Sequence, residues 1–295
     1  MKTGCASASA TALLIARAML LAEATPALRP LLVEGSAALT RRLLREAEPA
    51  RWFDFALRHR IARSLIFAAE QFFLPGILLH WLARKRLLDG LAREAIDAGC
   101  CQIVVLGAGL DTLTWRLRDE AICFELDHPA TQSIKRRAFA DGPTLVPADL
   151  SYESVAEVLR AQPRFATNRA TLFIAEGLLM YLPPTRVAVL FRDITAISAP
   201  GSRFALTFME ARPGQPPVFQ SASRFIAWWL RWRGESFRWG LDRDDAGAFA
   251  AQHGWQLAAV SSPEELRRRF LAPHGLDGQP LAIGESVAIT HLPAR

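Results

Sequence analysis

Glycines and carboxylates recur just after short apolar runs in this chain, where a folded protein could grip a ligand. Gly107-Ala108-Gly109 follows IVVL and precedes LDTLTWRLR. Two glycines there let a ligand approach the backbone, and a helix N-terminus just beyond favours polar ligand groups. The third glycine of a dinucleotide-binding G-x-G-x-x-G is replaced by Thr112, so this pair alone also suits a plain strand-to-helix turn. Glu125 and Asp127 close the next apolar run, near the ~20-residue offset at which an acid takes ribose hydroxyls. Strand alternation is expected to send one inwards and one outwards. Asp127, the last strand residue before Pro129, is expected at the crevice; its plainer alternative is a helix cap. Asp149-Leu150 could accept from an adenine amino group while covering the ring, or simply cap a helix. Glu176, bounded by apolar residues, could hold an α-ammonium or pair with a core arginine.

These positions need strands that end together. From Gln102 onwards, IVVLG, AICFELD, PTLVPADL, TLFIAEG and SRFALTFME read as strands, separated by helical segments. Such alternation predicts a doubly wound, mostly parallel α/β sheet with its ligand at the carboxyl ends of the strands. WQLAAVSS and GESVAIT bring the expected total to seven strands. Asp242 is expected to cap one late helix, and Ser262-Pro263-Glu264-Glu265 to open another. Residues 1–99 read as helices punctuated by Pro26, Pro30, Pro49 and Pro75, a helical cap on a domain spanning 100–295. The Trp- and Arg-rich stretch within 211–240 is expected to form a lid over an acceptor. Its alternatives are a core-packed helix with snorkelling arginines or a membrane-surface helix.

Composition narrows the class. Apolar residues make up 51% of 295, enough for a large core. The net charge of +6 is almost all arginine, with lysine only at Lys2, Lys85 and Lys135. The arginines are spread along the chain rather than clustered, which argues against nucleic acid as a partner. Cys5, Cys100, Cys101 and Cys123 form no C-x-x-C and have no histidine at metal-ligand spacing, so no metal is expected. Free thiols fit a reducing cytoplasm, and Cys123, in an apolar run, reads as buried and inert. TALLIARAMLLAEA is broken by Arg17 and repeats at helical spacing, favouring an amphipathic helix over a signal sequence. SLIFAAEQFFLPGILLHWLA is interrupted by Glu70, Gln71, Pro75 and His80, short of the ~18 apolar residues a membrane span needs.

VVLGAGLDT, FELDHPATQSIK, VPADL and IAEGLLMYLP, in this order, resemble the leucine carboxyl methyltransferase family. Its members are class I S-adenosylmethionine-dependent O-methyltransferases of Rossmann-like fold. The likeness extends upstream to SASATALLIARAMLLAEA and FLPGILLHWLARKRLLD, and downstream to GESFRWGLDRDDAGAFAAQHGWQL. One departure is Arg29-Pro30 where the family often carries Asp-Pro. The resemblance implies a methionine-carboxylate fork at Arg84 and a backbone platform at Gly107, Ala108 and Gly109. It implies a ribose acid at Asp127, an adenine pair at Asp149 and Leu150, a methionine-end carboxylate at Glu176, and a substrate contact at Tyr181.

Methyl transfer from a sulfonium needs an aligned nucleophile. A carboxylate acceptor is already anionic at neutral pH, whereas a hydroxyl needs a base. No base stands out in the sequence, so the expected acceptor is a carboxylate of a small hydrophobic acid or of a peptide C-terminus. Hydroxyl methylation of a natural product and an inactive partner-binding protein on the same fold are the alternatives. A nicotinamide oxidoreductase is disfavoured by Thr112, and by the lack of a lysine four residues after Tyr152 or Tyr181.

Overall fold

The computed structural model describes residues 9–48, 51–212 and 214–293; Lys2, Cys5 and Pro49, weighed above, lie outside them. Five helices come first: α1 (Ala10–Glu23), α2 (Ser36–Ala47), α3 (Arg51–Arg58), α4 (Arg60–Phe73) and α5 (Ile77–Asp97). Then strands and helices alternate: β1 (Gln102–Leu106), α6 (Leu113–Leu117), β2 (Ile122–Asp127), α7 (Pro129–Ala138), β3 (Thr144–Pro147), α8 (Val155–Arg160), β4 (Thr171–Ala175), α9 (Pro184–Ala196) and β5 (Arg203–Glu210). After β5 come α10 (Arg224–Arg233), β6 (Gly240–Leu241), α11 (Ala246–Gln252), β7 (Gln256–Ser261), α12 (Pro263–Leu266) and β8 (Glu285–His291).

The sheet runs β3-β2-β1-β4-β5-β8-β7, with β6 paired to β5 off this path. β8 is antiparallel to both β5 and β7, and the remaining pairs are parallel. Among the described residues the strand count is therefore eight rather than seven. The addition, β6, is two residues long and pairs Gly240 with Met209 and Leu241 with Glu210, too short to carry an alternating apolar signal. Strand order reverses between β1 and β4, where a doubly wound sheet opens its ligand crevice.

Every residue of β1 is buried because both faces of the sheet are covered. Ile103 and Val105 pack into the core on the side of α5, with Leu82, Leu87 and Ile174. Val104 and Leu106 pack into the opposite core, with Phe124, Phe173, Phe191 and Phe204. The N-terminal helices thus share a core with the sheet through α5. Leu31, beside the departure at Arg29-Pro30, is one of the residues in that core. Local signals hold where they are made of side-chain chemistry. Asp242 accepts from the Asp244 N–H, and Ser262 accepts from the Glu265 N–H. Cys123 is buried, and burial pushes its thiol up to about 12.

No single described helix is long and apolar enough to cross a membrane. α4 and α5 together have the apolar content, but they meet at 91°, and α5 is largely buried in the protein.

Candidate functional site

A cavity of about 620 Å³ opens at the carboxyl ends of β1 and β4. Its floor is the glycine turn. Gly107 sits at φ +63°, and a Cβ there would meet the Leu178 side chain at 2.9 Å. Gly109 sits at φ +51°, with α1 close by: a Cβ would lie 3.3 Å from that of Ala12. Left-handed backbone and close approach together demand glycine. Ala108 lines the same wall.

Asp127 stands at the lip. Its carboxylate accepts from the Gly109 N–H, and from the His128 N–H at 2.6 Å. Burial raises its pKa, against the pull of Lys135 and the two N–H groups. Glu125 does not diverge from it by facing the other way, as expected above. Residues two apart on a strand share a face, and depth separates them instead. Glu125 is buried behind the cavity, where it accepts from Thr114 and from Lys135 at 2.6 Å. Its pKa is raised, chiefly by burial.

The opposite wall is a buried charge network on α5. Arg84 donates through Nε to Glu176 at 2.9 Å, and through Nη1 to both Glu285 oxygens at 2.8 and 2.6 Å. Lys85 donates to Asp111 and, at 2.9 Å, to the other Glu176 oxygen. His80 Nε2 meets Glu285 at 2.9 Å. Burial alone would raise the Glu285 carboxyl, but Arg84 and His80 outweigh it and hold the group down to about 2. Burial works the same way against Asp111, and Lys85 and Arg116 overcome it to lower its pKa. Arg84 and Lys85 are both held in the charged form by these carboxylates, against desolvation.

The sequence singled out Arg84 and Glu176 but missed Lys85, Asp111, Glu285 and His80. Two faint signals pointed that way: Lys85 is one of three lysines, and Glu285 is a charge opening the apolar run SVAIT. The network also changes what Arg84 can do. Two arms of its fork already serve carboxylates of the chain itself, which leaves Nη2 as the arm with no such bond among the described residues.

The third wall is apolar. α1, α4 and α10 supply Ile15, Ile66, Phe67, Phe73, Phe225, Ile226, Trp229 and Leu230. Tyr181 also lines the cavity beside Thr11, and burial raises its pKa. Glu235, just beyond α10, accepts from the Ala10 and Thr11 N–H groups at 2.9 and 3.2 Å, and from the Thr11 hydroxyl. It thereby caps α1 from across the cavity mouth.

The structure thus brings Arg84, Gly107, Ala108, Gly109, Asp127, Glu176 and Tyr181 to one cavity. It does not bring Asp149 and Leu150 to that lining. Asp149 accepts from the Ser151 N–H at 2.9 Å, a turn-capping contact, and Leu150 is buried in the core beneath α8 and α9.

The chain matches the family described as leucine carboxyl methyltransferase over residues 12–195, well over half its length. A Mycobacterium marinum protein named "Putative S-adenosyl-L-methionine-dependent methyltransferase" is 33% identical over 221 residues, covering 69% of this chain and 67% of that one. A Mycolicibacterium smegmatis protein with a similar name is 33% identical over 224 residues, covering 70% and 72%. The chain spans about two thirds of the length of these relatives. Among solved structures, a duf574 family protein from Streptomyces avermitilis superposes with a TM-score of 0.57 at 17% identity, covering 79% of this chain and 91% of that one. That likeness bears on fold alone. The match over residues 12–195 takes in α1 to α9, the glycine turn, Asp127 and the Arg84–Glu176 pair, and the chain belongs to the leucine carboxyl methyltransferase family.

Proposed function

We propose that this chain transfers a methyl group to the carboxylate of an apolar acid, either a small hydrophobic acid or a peptide C-terminus. It is an S-adenosylmethionine-dependent methyltransferase. Its cavity fits that donor: a glycine floor that no side chain can occupy, an acid at the lip, and paired charges of both signs for a zwitterionic head group. Bound there, S-adenosylmethionine supplies an electrophilic methyl on a sulfonium. The remaining work is the protein's own. Gly107, Ala108 and Gly109 provide a close backbone surface. Asp127 accepts from ribose hydroxyls. Glu176 takes the α-ammonium, with Lys85 and the free arm of Arg84 placed for the α-carboxylate. Asp149 and Leu150 lie beyond the cavity lining, so their adenine role is the most distant part of the assignment. Tyr181, beside Thr11 at the boundary with the apolar wall, contacts the acceptor.

One observation carries the choice of acceptor: among the described residues the cavity lining includes no histidine, and each carboxylate in it is hydrogen-bonded to a neighbour. Such a lining offers a hydroxyl no unpaired base, and a carboxylate needs none. The apolar wall then selects a hydrophobic acid. We take residues 1–99 as the cap, 100–295 as the catalytic domain, and 211–240 as a lid whose α10 closes the acceptor side. The free thiols Cys100, Cys101 and Cys123 support a reducing compartment such as the cytoplasm.

The experiment is transfer of labelled methyl to aliphatic acids of rising chain length and to matched phenols. We expect label only on the acids, released as methanol by alkali, with longer chains preferred. Turnover of phenols with no labelled acid would overturn the reading.

A further inference from the structure

The helices that wall the cavity are also apolar on their outer sides. On α4, Ile66, Phe67 and Phe73 turn towards the cavity. Ile61, Leu65 and Phe72 recur at helical spacing on the other side, 79%, 66% and 74% exposed. No residue of α4 is fully buried. α10 repeats the arrangement: Phe225, Ile226, Trp229 and Leu230 line the cavity, while Trp228 and Trp232 stand outside, stacked with ring centroids 6.4 Å apart. The two helices meet, since Phe73 and Phe225 lie 4.9 Å apart and the Ser223 N–H donates to the Phe73 carbonyl at 2.9 Å. Phe55, on α3, which packs against α4, is likewise exposed. A monomeric surface rarely leaves so many large apolar side chains uncovered on adjoining helices.

Charge identifies what covers it. Arg58, Arg60, Arg63, Arg231 and Arg233 lie on these helices, against only Asp54 and Glu70 among the described side chains there. Glu70 lines the cavity rather than the outer face. An isologous dimer would press this arginine-rich face against itself. An anionic bilayer would neutralise it and accept the apolar residues below its head groups, with tryptophan at the depth it favours.

We infer that α3, α4 and α10 form a docking face for an anionic lipid bilayer, lying on the surface rather than spanning it. The cavity is walled by the inner sides of the same helices, so a docked molecule could take its acceptor directly from the lipid. That last clause rests on the apolar-acceptor reading; the docking does not.

The test is co-sedimentation of the full chain with vesicles of phosphatidylglycerol and phosphatidylcholine in equal parts, against phosphatidylcholine alone. Wild type should pellet with the mixed vesicles and lose most binding at high salt. Leu65→Ser/Phe72→Ser/Trp228→Ser should bind at least about tenfold more weakly, with affinity for S-adenosylhomocysteine unchanged as the check on folding. If that variant fails to fold, Arg231→Glu/Arg233→Glu decides, by losing the preference for anionic vesicles. Wild type that stays in the supernatant overturns the inference. So does vesicle binding that survives the substitutions, or a stable dimer that the triple variant splits. Failure of acid methylation with vesicle binding intact would sink the acceptor reading and leave the docking face standing.

Discussion

The two halves of the cavity are built on opposite principles. The half on α5 and the strand ends is a closed set of charges: Arg84, Lys85, Asp111, Glu176, Glu285 and His80, all buried or nearly so and each bonded to another. The half on α1, α4 and α10 is apolar, and its polar contacts sit at its edge, where Glu235 caps α1. Buried charges that lack a partner are expensive, so a paired network fixes its members in one arrangement. An apolar wall sets volume and hydrophobicity but few directions. The first half suits an invariant donor with a charged head group, and the second suits an acceptor defined by shape and greasiness.

Substitution of Glu285 should break the contrast most. Glu285→Gln leaves Arg84 and His80 without their carboxylate deep in the protein, at a cost of about 3–5 kcal/mol. It should also flatten the acid limb of stability. The folded pKa of about 2 lies below the unfolded value, near 4.3. The stabilisation is therefore fully present above the unfolded pKa and lost as pH falls towards 2. Urea melts of wild type and Glu285→Gln at neutral pH and near pH 3 measure both effects. A loss below about 1 kcal/mol at neutral pH would mean the network is ordinary surface-like pairing.

A smaller effect should separate the halves. Glu235→Gln weakens the cap on α1 by about 1 kcal/mol, so the acceptor KM should rise by about fivefold. Affinity for S-adenosylhomocysteine should move by less than about twofold. Equal losses in both would show that the apolar and the charged halves of the cavity act as one unit.

The sequence made the sheet legible because parallel strands buried on both faces are nearly pure apolar runs, and those runs end at the glycine turn, Asp127 and Glu176. β6 escaped because two residues have no period. The charge network was only half visible. Glu285 is 201 positions from Arg84, and only β8 lying antiparallel beside β5 brings it under α5, a juxtaposition that no local pattern encodes. The same pairing explains why Arg84, read as a fork for a ligand carboxylate, also holds the fold together. Removing it would confound binding with stability. Asp149 reads differently for the opposite reason: its motif is local, and the structure shows a turn contact with the Ser151 N–H outside the cavity lining.

The most direct test is therefore calorimetric titration of S-adenosylhomocysteine into wild type, Asp127→Ala and Trp229→Ala. The account predicts micromolar binding by wild type and by Trp229→Ala, and at least about a 50-fold loss in Asp127→Ala, from removal of a charged hydrogen-bond acceptor. No binding by folded wild type, or equal losses in the two variants, would contradict the division of the cavity into a donor half and an acceptor half.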